Sequence, residues 1–70
     1  MNKEYIRQEL EKCQKCSFGD DDEITEFLYD HPVYGIIGRG DTEVGAKVVA
    51  IRYLRKKAFQ LERQAARLSL

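Results

Sequence analysis

The chain has 70 residues, 43% hydrophobic and 34% charged, with no tryptophan, a single proline (Pro32) and a net charge of zero. That length allows one domain with a thin margin of buried surface, of the kind often reinforced by a metal, a disulfide or a second copy of itself. The apolar content argues against wholesale disorder, and no apolar run approaches the ~20 residues of a membrane span. The opening residues MNKEYIRQEL are charged and carry no apolar secretion-signal core. The expected compartment is therefore the cytoplasm, with Cys13 and Cys16 as reduced thiols.

Charge is segregated along the chain. Residues 1–43 hold five cations (Lys3, Arg7, Lys12, Lys15, Arg39) and eleven acids, a balance of −6, whereas residues 44–70 hold seven cations against Glu62 alone, a balance of +6. Such asymmetry points to a charged partner, unless the two halves pack together and their fields cancel.

The first element in chain order is a helix over 2–16, with Asn2 as its cap. Ile6, Leu10 and Cys13 recur at helical steps, and Glu11 precedes Lys15 by four. Gly19 is placed to stop it. A second helix is expected over 21–31, with Asp20 or Asp21 as N-cap, Asp22 and Glu23 in the first turn, and a stripe of Ile24, Phe27 and Leu28. Pro32 would end it. Residues 32–41 then form a glycine-bearing turn. Val33, Tyr34, Ile36 and Ile37 favour extended backbone there, but glycines interrupt them and no second strand is evident to pair with.

The last element is a long helix over 42–69, capped by Asp41, with no proline and no glycine after Gly45. Gly45 in its first turn costs about 1 kcal/mol against alanine, so a close neighbour is expected there. Read in heptads, Val44, Ile51, Ala58 and Ala65 fall at a, and Lys47, Leu54, Leu61 and Leu68 at d. The expected fold class is thus all-α: two short helices, a turn and one long C-terminal helix in a single domain, forming a helical dimer or a bundle docked on a partner.

GIIGRGDTEVG invites a nucleotide-binding reading, but its glycines run in the wrong order for a dinucleotide loop, it lacks the Lys-Ser/Thr of a P-loop, and Asp41 and Glu43 would repel a phosphate. Arg39-Gly40-Asp41 as an adhesion tripeptide would need an extracellular setting. Asp20-Asp21-Asp22 lack the alternation of a calcium loop. Cys13 and Cys16 have C-x-x-C spacing, and with His31 they form the one conceivable zinc set. A single such pair is short of four ligands, so no cofactor is expected. Catalysis is not expected either, since one histidine and so short a chain leave little from which to build a pocket.

Two binding functions remain, beside a third reading in which zinc held by Cys13 and Cys16 staples the small domain and a chelator would cost it helicity. The first is a non-enzymatic adaptor or regulator that meets a protein partner or its own copy through Val44, Ile51, Leu54, Ala58, Leu61, Ala65 and Leu68, with Tyr34 and Arg39 as anchoring contacts. The second is nucleic-acid binding through Arg52, Arg55, Lys56 and Lys57, in a stretch of five cations from Arg52 to Arg63 interleaved with Tyr53 and Phe59. The two differ in salt response: phosphate contacts weaken steeply with salt, an apolar seam hardly at all.

Overall fold

The computed structural model describes residues 3–20 and 22–68, with the side chain of Leu68 excepted. Asn2, Asp21 and Ser69, to which the sequence assigned capping or terminal roles, lie outside the described residues, as does the side chain of Leu68. The elements run α1 (Lys3–Lys12), β1 (Gln14–Asp20), β2 (Glu23–His31), β3 (Gly35–Gly40) and α2 (Glu43–Leu68). The strands form one antiparallel sheet in the order β1-β2-β3. The all-α expectation is therefore overturned: the fold is α+β, not a helical bundle.

The reason lies in β2. Its sequence, EITEFLYDH, has Phe27, Tyr29 and His31 at steps of two, and its β-branched and aromatic residues suit a pleated, half-buried surface. The same residues can be read at a spacing of three and four, but the chain uses the period of two. Tyr29 and His31 are buried on one face, and Leu28 lies on the other, opposite Cys16 of β1 and Arg39 of β3. The acidic run expected to start a helix closes a hairpin instead, with Asp20 paired to Glu23. Gly19 sits at a shift of register beside it, where a Cβ would run into the backbone of Glu23 and Ile24.

Residues 32–34 form the second reversal, and Gly35 follows with φ of +78°, a left-handed conformation that favours glycine. Buried His31 caps this turn: its Nδ1 accepts the backbone N–H groups of Val33 (3.1 Å) and Tyr34 (3.3 Å). In β3 the register shifts between Tyr29 and Asp30, whose partners are Gly38 and Ile36. Ile37 is the extra residue, and this bulge lets both Ile37 and Gly38 be buried in succession.

One face of the sheet carries both helices. Ala46, Ala50, Leu54 and Ala58, four residues apart on α2, are all buried. Tyr29, Ile37, Ala46, Ala50 and Leu54 make the core, with Ile6 and Leu10 of α1 and Cys13 packed against it. A Cβ on Gly40 would come within 2.8 Å of the Ala46 backbone nitrogen, so the strand glycines let α2 lie close on the sheet. Thr42, not Asp41, caps α2: its Oγ1 accepts the Gly45 N–H at 2.9 Å, and its carbonyl accepts the Ala46 N–H at 3.0 Å. The close neighbour expected at Gly45 is this hydroxyl, with the backbone of Gly40 approaching as well.

Candidate binding surface

The molecule is long and narrow, 56 × 19 × 14 Å. The hairpin of β1 and β2 reaches past the last rung of β3, where Phe27 pairs with Gly40, and ends in Asp20 and Glu23. From beside that rung α2 runs back across the sheet until Tyr53 and Lys57 meet Tyr34 in the second turn. It then continues past the end of the sheet. The acidic hairpin tip and the C-terminal part of α2 are thus at opposite ends of the long axis.

Beyond Ala58 the helix leaves the body. Residues 59–67 are all exposed, a stretch of about 13 Å at 1.5 Å per residue. Along the side of α2 opposite the buried stripe, Arg52, Lys56, Phe59, Arg63 and Arg67 succeed one another at steps of four, three, four and four, all exposed, with Arg55 beside them. The Arg63 guanidinium lies 5.8 Å from the centre of the Phe59 ring, within cation–π range. Gln60, Arg63, Gln64 and Arg67 line one open concavity on the projecting segment.

Ion pairing divides the cations into two sets. Arg7 pairs with Glu4, Lys12 with Glu9, Lys15 with Glu43, and Arg39 with Glu26, so four of the five cations of residues 1–43 have acidic partners. Among the described residues, no carboxylate lies within ion-pair distance of Arg52, Arg55, Lys56, Arg63 or Arg67. Among the described residues the charged halves therefore do not neutralise one another by ion pairs along α2, and the basic face is exposed.

Lys57 stands apart from that face. It is half-buried, with Nζ 5.1 Å from the Tyr34 ring centre and 5.9 Å from that of Tyr53. Tyr34 in turn stacks on His31 at 4.5 Å. Below lies Glu9, buried on α1, with its Oε1 3.4 Å from His31 Nε2 and its Oε2 2.7 Å from Lys12 Nζ. The Lys12 hydrogen bond is the chief cause holding the Glu9 carboxyl below its ordinary range, against the opposing effect of burial. Burial of the Tyr5 phenol, with Tyr34 beside it, pushes its pKa up to about 12.

The residues of the proposed heptad seam have separate fates. Leu54 and Ala58 are buried in the chain's own core and Ile51 is half-buried, while Val44, Leu61 and Ala65 are exposed. Tyr34 belongs to the aromatic cluster, and Arg39 lies on the open face of the sheet at 2.5 Å from Glu26. The conceivable zinc set is dispersed: the Cys13 thiol donates to the Glu9 carbonyl at 3.4 Å, Cys16 lies in β1 opposite Leu28, and His31 is engaged with its turn. Burial raises the pKa of the Cys13 thiol. No cluster of three or more His, Cys, Asp or Glu that could hold a metal occurs among the described residues.

Gln60, Gln64 and Arg67 were absent from the sites read off the sequence, whereas Arg63 closed the basic stretch read there. The steps from Arg52 to Arg67 carry a basic periodicity in the sequence, and the apolar seam runs along the neighbouring side of the same stretch. Among the described residues no helix is long and apolar enough to cross a membrane. Compared with known proteins, the chain matches no family model, no curated protein and no solved structure.

Proposed function

We propose that this protein is a non-enzymatic nucleic-acid-binding protein whose working surface is the outward face of α2. The observation that carries this is the row of exposed cations Arg52, Arg55, Lys56, Arg63 and Arg67, unpaired among the described residues, while the cations of the other half are mostly paired. A basic stripe along one helix face is the electrostatic footprint of a phosphate backbone. Phe59 adds an exposed ring within the stripe, 59% accessible. The proposal includes a cytoplasmic location, which suits the two free thiols.

The test is the salt dependence of binding to a fluorescent oligonucleotide by anisotropy. Three to five neutralised phosphates give a slope of log affinity against log salt of about −3 to −4.5. Charge reversal of Arg52 and Lys56 should flatten that slope. Absence of binding at low salt, or a slope near zero, would overturn the proposal.

A second reading, binding to a protein partner, is favoured by Leu61. This residue is 46% exposed and, with Ala65, continues the buried stripe of α2 past the end of the sheet. It predicts complexes that survive high salt and are lost on Leu61→Asp.

A further inference from the structure

We propose that the projecting segment of α2, residues 59–67, enters the major groove of double-stranded B-form DNA, and that Gln60, Arg63, Gln64 and Arg67 meet the base edges there. This rests on the nucleic-acid reading above and names its ligand.

Shape is the first support. A helix held against a sheet offers a groove only one side, but residues 59–67 are exposed at every position, so this part of α2 stands clear of the body. An α-helix with side chains is about 10–12 Å across, and the major groove of B-DNA is about 12 Å wide. The major groove of A-form RNA is too narrow and deep for side chains to read, and a single strand has no groove.

Chemistry is the second support. Gln60, Arg63, Gln64 and Arg67 follow the i, i+3, i+4, i+7 spacing of one helix face and line one concavity. Arginine is matched to the O6 and N7 of guanine, and glutamine to the N6 and N7 of adenine. The Phe59 ring lies within cation–π range of the Arg63 guanidinium. The one acid of the segment, Glu62, falls on the other side of the helix by the same spacing, along with Leu61 and Ala65. Arg52, Arg55 and Lys56 lie one to three turns nearer the body, where the walls of the groove would bring phosphates to them. The acidic hairpin tip, at the far end of the molecule, is kept away from the duplex.

The experiment uses the full chain with three probes of one random sequence: duplex DNA, duplex RNA and single-stranded DNA, at the same salt. Selection from a randomised duplex DNA pool accompanies it. The expected result is at least about tenfold tighter binding to duplex DNA than to either alternative, and a selected sequence containing guanine and adenine positions. Gln64→Ala and Arg67→Ala should each relax one of those positions by roughly 5- to 150-fold. Both side chains are on the exposed segment, so circular dichroism should show unchanged folding. If duplex DNA and duplex RNA bind alike, or if the variants leave selection unchanged while Arg52→Ala and Lys56→Ala weaken every probe, groove entry is wrong and general phosphate binding stands. If no probe binds, the nucleic-acid reading itself falls.

Discussion

Gly38 of β3 lies so close under Ala50 of α2 that a methyl group on Gly38 would come within 2.8 Å of the alanine Cβ. The Ala46 carbonyl is nearer still, and it cannot move without breaking the helix. Gly38→Ala is therefore an overpacking change against backbone and should destabilise the fold by about 1–3 kcal/mol or more. Urea denaturation followed by circular dichroism measures it. Adding Ala50→Gly should recover little, since a mid-helix glycine itself costs about 1 kcal/mol and the carbonyl stays in place. A midpoint unchanged in Gly38→Ala would mean that helix and strand do not meet here.

That contact also explains why the sheet was hard to see in the sequence. The inward positions of β3 include Gly38 and Gly40, so the strand shows no apolar alternation; the alanines of α2 supply the contact instead. β1 is an edge strand exposed at nearly every position, with nothing but Cys16 half-buried, so it too lacks a period. Without those two partners, β2 had only its own residues, which fit both periods over so short a run. α2 was legible because its sequence holds no breaker after Gly45 and its apolar residues persist for several turns. The basic stripe was legible as charge. That residues 59–67 stand clear of the body was not, because it depends on where the sheet ends.

Leu54 and Leu61 occupy equivalent places in the heptad but not in the fold. Leu54 is fully buried in the core, whereas Leu61 is 46% exposed on the projecting segment. Leu54→Ala should cost about 2–5 kcal/mol, and Leu54→Asp should abolish cooperative unfolding. Leu61→Asp should stay within about 0.5 kcal/mol of the parent, as surface substitutions do. A loss of stability in Leu61→Asp that grows with protein concentration would show instead that two copies meet through the seam, since an associating native state makes stability depend on concentration.

Two groups in the cluster beneath Tyr34 should make stability depend on pH, with opposite signs. Burial raises the Tyr5 phenol from 10.0 to about 12, so its contribution is complete below pH 10 and is lost as pH rises towards 12. The Glu9 carboxyl is lowered from 4.5 chiefly by its hydrogen bond with Lys12, so its contribution is complete above the ordinary carboxylate range and is lost as pH falls through the lowered value. Chemical denaturation across pH should therefore show a decline at each extreme. Tyr5→Phe should remove part of the alkaline decline and Glu9→Gln part of the acid one. If Tyr5→Phe leaves the alkaline limb unchanged, its phenol is not shielded from water.

The two charged ends of the molecule should act independently on a nucleic-acid ligand. Along a body 56 Å in length, the hairpin tip and residues 59–67 are at opposite ends. At physiological ionic strength the Debye length is about 8 Å, so charges at one end are screened from the other. Asp20→Asn, Asp22→Asn and Glu23→Gln together remove three negative charges, yet binding at that salt should be unchanged. Arg52→Glu with Lys56→Glu alters charge on the contacting face and should weaken binding by at least about tenfold, the loss shrinking as salt rises. Anisotropy titrations of both variants across salt compare them directly. Tighter binding by the neutralised tip at physiological salt would place the hairpin against the ligand and would rule out an arrangement in which α2 alone approaches it.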